Sequence, residues 1–258
     1  MCCNHPHNSP EHFDGKTAVG HVAEAQARGK LAKSESHALE IPGHWSAFTD
    51  AARETALLMA MLFEICHHLP ISSTLTMVIT GLVGISWLIW KAGRSAWIGW
   101  SRLERLHRIV EEEKWEIDNH RKQEREELGA LYAAKGFEGK LLEDVLDVLM
   151  ADGDRLLRVM VEEELGLTLE NTEHPLKQAL GAALGSTAAI LLIFLFVAAL
   201  GSWGALLAAL LTAGLAAAIA AKYEKNRIIP AIVWNIGIVA LPLACVHFLS
   251  NYFIGPSL

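Results

Sequence analysis

Hydrophobic and polar positions are sorted along this chain into long blocks. Residues 69–90 (LPISSTLTMVITGLVGISWLIW) carry no charge and suffice for one membrane span, since about 20 residues at 1.5 Å rise each cross a bilayer core. Residues 178–221 form a 44-residue run without Asp, Glu, Lys or Arg. That is too long for one span, and Gly201-Ser202-Trp203-Gly204 divides it into two joined by a tight turn. Residues 228–250 make another span, with Pro230 in its first turn and Pro242 as an expected kink. The segment 47–68 is less regular, because its clean apolar part is only Thr55–Phe63. To cross, it has to begin near Trp45 and place Asp50, Arg53 and Glu54 at the interface. Counted with it, the spans number five.

The middle of the chain has the opposite character. Of 51 Asp, Glu, Lys and Arg residues, 34 fall between Lys91 and Lys177, and 20 of those are acidic. No proline occurs between Pro70 and Pro175, so the helix leaving the membrane after Trp90 is free to continue into water. Leu103, Leu106, Val110, Leu128 and Leu131 recur at helical spacing. Gly136 and Gly139 bracket a turn, and Leu141–Met150 reads as a second, amphipathic helix. Asp152-Gly153-Asp154 offers a stop and an N-cap for a third helix running from about Arg155 to Leu165 and ending at Gly166.

The resulting fold class is all-α: a polytopic membrane protein of five transmembrane helices with a cytosolic three-helix domain between helices 2 and 3. Its parts are a polar, His-rich arm (1–45), helices 1 and 2 (46–90), the charged domain (91–177) and helices 3 to 5 (178–258). Orientation follows from basic residues beside the span ends. Lys91, Arg94, Arg102, Arg105 and Arg108 follow the second span, and Lys222, Lys225 and Arg227 lie between the last two. Those loops face the cytosol, which puts the N-terminus and the 91–177 domain inside and the C-terminus outside or in a lumen. The membrane is a bacterial inner membrane or an organellar one.

Bulk composition removes several classes. A net charge of -7 gives nucleic acid no electrostatic footprint. Four cysteines (Cys2, Cys3, Cys66, Cys245) make no CxxC pair and two of them lie in apolar segments, so no disulfide framework is expected. The N-terminal arm lacks the apolar core of a signal peptide. Nothing calls for an organic cofactor, and no enzymatic constellation stands out.

The chemistry lies in the charged domain. Glu113, Glu116, His120, Glu124 and Glu127 are separated by three, four, four and three residues, which gathers them on one face of a helix. Met160 and Glu164 repeat the i, i+4 spacing, with Glu162 and Glu163 beside them. Carboxylates on one face repel each other unless a cation sits between them. Glu-x-x-Glu pairs on facing helices hold iron or manganese in bundle proteins, and a thioether beside them favours a transition metal over Mg²⁺ or Ca²⁺. A plain solvated acidic face is the alternative reading.

The layout resembles the vacuolar iron transporter family, most specifically at VEEEKWEIDNHRKQEREELGALYAAKGF (110–137) and LLRVMVEEELGL (156–167), followed by Pro175 and a span rich in small residues. The resemblance covers roughly residues 80–250. It implies a domain that captures ferrous iron with glutamates and methionines on three helices. Carried over, the ligands are Glu113, Glu116, Glu124, Glu127, Met160 and Glu164; Val161 stands where the family has a second methionine. The family often has a proline between its first two Glu pairs, whereas this chain has Asp118-Asn119-His120. One continuous helix or a differently placed break follows, with His120 able to join the site.

The resemblance also implies an aspartate in the first span, in an Asp-Gly motif that lines the ion path at a dimer interface. That motif is absent here. Glu64 is the one charge in residues 55–90, with Met61 at i−3 and His68 at i+4 on the same face, and an ionisable group inside a span is by default functional. Glu64 is therefore expected to replace the aspartate as cation ligand and proton acceptor, unless the segment is short or re-entrant and Glu64 sits at the interface. Gly84-Ile85-Ser86-Trp87 lacks the methionine expected of the second span; Met77 lies deeper. Cys2, Cys3, His5 and His7 would suit Zn²⁺ or Cu⁺, lipid attachment, or no fixed structure at all. The function implied is export of Fe²⁺ from the cytosol, with Mn²⁺ or Zn²⁺ as other ions bound, by proton antiport through a homodimer in lipid. A membrane-anchored iron buffer or sensor without transport is the alternative.

Overall fold

A computed structural model describes residues 42–164 and 173–255. Eight α-helices and one π-helical turn account for nearly all of them, and no strand occurs among the described residues. The expectations for the N-terminal cysteines and histidines, and for a helix stop at Gly166, fall outside the described residues. The chain separates into two compact units, one taking in residues 102–164 and the other residues 42–101 and 173–255.

The larger unit contains α1 (Gly43–His68), the first part of α2 (Ser73–Asn119), α6 (Pro175–Leu200), α7 (Ser202–Tyr223) and α8 (Ile228–Phe253). Four helices are long and apolar enough to cross a membrane: α2, α6, α7 and α8. Their lipid-facing character is visible in exposed Leu82, Ile89, Leu191, Leu195, Trp234 and Phe248. The helix α1 falls short of that apolar standard, so the expected fifth span is not among the four. At 26 residues it is nonetheless about 39 Å long, and it packs against α6, α7 and α8. Its charges are matched inside the unit. Lys91 Nζ, itself buried, lies 2.7 Å from Glu54 Oε2, and Arg53 bonds both Asp50 and Asn235 of α8.

Small residues set the spacing of this bundle. Ala56 and Ala60 of α1, Ala189 of α6, and Ala205, Ala208, Ala209 and Ala213 of α7 share one core with Met59, Phe63 and Ile193. In lipid, where apolar burial drives association weakly, close backbone approach supplies the packing energy. The closest approach is at Gly181 and Gly185: a Cβ there would stand 2.1 Å from the carbonyl oxygens of His44 and Phe48 respectively. Gly185→Ala should therefore push α1 off α6 and cost about 1–3 kcal/mol. A lowered melting midpoint in detergent, beside an unchanged one for Gly237→Ala, where added atoms meet nothing within 4 Å, checks this.

The turns fall where the residues dictate. The uncharged run breaks at Gly201, whose φ of 64° and ψ of -142° suit glycine alone. Proline at the start of α6 costs no hydrogen bond, and the His174 side chain caps that helix by accepting from the Leu176 amide at 3.2 Å. The helix α2 runs for 47 residues, about 70 Å, more than twice a bilayer core.

The smaller unit is built from the end of α2, α3 (Arg121–Ala134), α4 (Gly139–Met150), α5 (Gly153–Val159) and a π-helical turn at Met160–Glu164. Ile117, Leu128, Leu131, Leu146, Leu156 and Met160 form its core. Gly136 and Gly139, both at positive φ, make the turn between α3 and α4. Asp152 caps α5 by accepting from the Arg155 amide at 3.0 Å. Arg125 of α3 ties down α4 through Glu143 at 2.7 Å and Asp147 at 2.8 Å.

Candidate metal sites

The carboxylate stripe does not lie on one helix. The helix α2 ends at Asn119, and His120 takes φ -124° and ψ 32°, outside helical values, before α3 starts. The carbonyl of His120 then accepts from the amides of Gln123 (2.8 Å) and Glu124 (3.2 Å). Of the two alternatives left by Asp118-Asn119-His120, the chain takes the break. It separates the axes carrying Glu113 and Glu116 from those carrying Glu124 and Glu127, while His120, half-buried, stands at the junction beside the Trp115 ring.

Burial distinguishes these glutamates from ordinary surface acids. Glu113, Glu124, Glu127 and Glu164 are 6%, 1%, 2% and 3% exposed, and Glu116 is half-buried. Neighbouring Glu162 and Glu163 are exposed, the latter pairing with Lys135. The expected third helix stops being α-helical after Val159. Its last described turn is a π-helix, and the wider turn sets Met160, Val161 and Glu164 all in buried positions. Met160, on the hydrophobic floor, is thus the thioether nearest this set in sequence, with Val161 packed next to it.

The electrostatics bind the five glutamates into one group. Burial, and then the charges of Glu113, Glu127, Glu116 and Glu164, push the Glu124 carboxyl up to about 10. Burial, followed by Glu113, Glu127 and Glu116, pushes Glu164 up to about 9. At neutral pH both hold protons. Five carboxyls so arranged suit one or two hard-to-borderline divalent cations, which would take the place of those protons.

A second set lies in the larger unit. Glu64, near the end of α1, has His247 of α8 against it, with Nδ1 2.7 Å from Oε1. His68, one turn on, places its Nδ1 3.7 Å from the same oxygen. Met61, expected beside them, packs against the alanine-rich core. Met77 packs against that core too. The residue that sequence reasoning missed is His247. Its one signal was being a histidine in an otherwise uncharged helix.

A family model described as the VIT family matches residues 99–255. That is more than half of the chain and includes every residue of the glutamate group, α6, α7 and α8. It leaves out α1 and most of the apolar part of α2. Searches of curated proteins and of solved structures gave no match.

Proposed function

The chain belongs to the VIT family, the vacuolar iron transporters, and on that premise we propose that this integral membrane protein moves Fe²⁺, with Mn²⁺ as a second cargo, out of the cytosol in exchange for protons. One observation carries the choice of ion: four buried glutamates and a half-buried fifth, joined with Met160, from three separate segments. Burying so many like charges is costly without a cation to offset them, and hard oxygens with one thioether favour a first-row transition ion. Glu113, Glu116, Glu124, Glu127, Glu164 and Met160 collect the ion in the cytosol, with His120 at their edge. Glu64 and His68 then receive it within the membrane.

In this reading α1 is a fifth span. Its paired charges, Lys91 with Glu54 and Arg53 with Asp50 and Asn235, support that placement, because each ion within the bundle has a partner. The N-terminus and the glutamate domain are then cytosolic and the C-terminus is outside or lumenal. The protein works as a homodimer in lipid, with the exposed Leu82, Val83 and Trp90 of α2 available to a second copy.

A second reading, a membrane-anchored iron buffer or sensor, has one observation in its favour. The family match starts at residue 99 and so excludes Glu64 and the helix that carries it. Proteoliposomes separate the two. With Fe²⁺ on the side facing the glutamate domain and an opposing proton gradient, a transporter fills the vesicles, and its uptake slows when the gradient is dissipated. Iron bound to the protein but never internalised would establish the buffer.

A further inference from the structure

The group around Glu64 has the features of a built coordination site. Glu64, His68 and His247 each bring one ligand atom to within 4.8 Å of the others. His68 Nδ1 lies 2.9 Å from the backbone carbonyl of Glu64. A carbonyl only accepts, so Nδ1 carries the proton and Nε2 the lone pair. That Nε2 is buried and has no hydrogen-bond partner, in a side chain 1% exposed. Leaving such an atom unsatisfied is costly. One ring nitrogen fixed by a carbonyl and the other bearing a lone pair is how proteins prepare a metal-ligating imidazole.

His247 is oriented in a similar way. The Asn251 amide nitrogen lies 3.0 Å from the His247 carbonyl and 3.1 Å from its Nε2. Donating to both, it leaves Nδ1 to face Glu64 with the ring's proton. The His247 side chain is half-exposed, which gives a cation a way in; when an ion takes Nδ1, the ring proton moves to Nε2 in place of the Asn251 contact there.

We propose that Glu64, His68 and His247 together bind a divalent first-row transition ion where the ends of α1 and α8 meet. Around a tetrahedral ion with bonds of about 2.1 Å, ligand atoms stand about 3.4 Å apart, a spacing that three ligand atoms already within 4.8 Å of one another reach by small side-chain rotations. Two imidazoles with one carboxylate favour Fe²⁺, Mn²⁺, Co²⁺ or Zn²⁺ over Mg²⁺ and Ca²⁺. With three protein ligands the ion keeps a position open to water, as suits an ion that must leave again. The site's place as a station on the export path rests on the transport reading; the binding itself does not.

The test uses Co²⁺ as probe on the purified full-length protein. Binding and visible spectra of wild type are compared with His247→Gln, His68→Gln and Glu64→Gln, so that binding elsewhere in the chain cancels in the difference. Each variant should lose one Co²⁺ per chain, and the imidazole-bound spectrum should disappear with it. Zn²⁺ should displace the wild-type Co²⁺, and a hundredfold excess of Mg²⁺ should not. Identical stoichiometry and spectra in folded wild type and all three variants would reduce the group to a hydrogen-bonded latch and overturn the site. Uptake by the same preparations keeps the two inferences apart. A spectrum lost in the variants without any wild-type uptake leaves the site and removes the transporter. Uptake that depends on Glu64 with an unmoved spectrum does the reverse.

Discussion

Replacing Glu113 and Glu116 together by alanine is expected to weaken Fe²⁺ or Mn²⁺ binding at the glutamate group at least a hundredfold, about 2.7 kcal/mol at 1.36 kcal/mol per decade. The change removes two of five carboxyls and the whole contribution of α2 to the group. Affinity at oxygen-ligated sites follows the number of charged ligands and the rigidity with which they are held, and here both fall. The same substitution should make the metal-free protein more resistant to unfolding. Glu113 heads the neighbouring charges that raise both Glu124 and Glu164, so its loss relieves repulsion among buried acids. A control is at hand in Glu162→Ala with Glu163→Ala, which removes as much charge from exposed positions and should leave affinity within about twofold. Isothermal titration and thermal melts on the three proteins measure both effects. If the outward pair matters as much as Glu113 and Glu116, the group is a diffuse acidic surface and not a site.

What could be read from sequence here was whatever depends on local periodicity. The apolar runs, the break at Gly201 and the cap at Asp152 are each set within a few residues, and the structure places them where the pattern does. The spacing of Glu113, Glu116, Glu124 and Glu127 was equally visible. The change of helix axis at His120 was open, since no proline forces it and the Asp-Asn-His triplet only permits it. The π-helical turn left no trace, because Met160, Val161 and Glu164 can lie on one face of an α-helix almost as well. Pairings across the sequence were out of reach. Glu64 meets His247 across 183 positions, and Arg53 meets Asn235 across 182. Whether the charges of α1 are tolerable inside a bundle depends on those partners, so whether this helix crosses a membrane could not be decided from its own residues.

Metal binding at the glutamate group should be tied to protons, with a steep dependence on pH. Glu124 and Glu164, pushed up to about 10 and about 9, are neutral in the metal-free fold at pH 7, whereas in an unfolded chain each ionises near 4.5. An arriving divalent ion needs the carboxylate forms and expels both protons. Between about pH 5 and pH 9 the apparent affinity should therefore rise with pH, by about tenfold per unit for each proton released. The stability of the metal-free protein has the opposite sign. A carboxyl whose folded value lies above its unfolded value contributes stability that is fully present below about 4.5 and is lost as pH rises towards 9 and 10. The unfolding midpoint without metal should fall across that window, and added Mn²⁺ should restore it most at the alkaline end. Titrations in buffers of different ionisation enthalpy count the protons directly: about two released per ion at pH 7 is the expected number. Glu164→Gln should take one of them away, and a count near zero in the wild type would mean that these carboxyls are already ionised and that burial does not govern the site. Release of two protons also bears on the transport proposed above: with the domain on the cytosolic side, an ion that arrives by displacing protons would leave them behind in the cytosol, so loading would be favoured where the cytosol is least acidic.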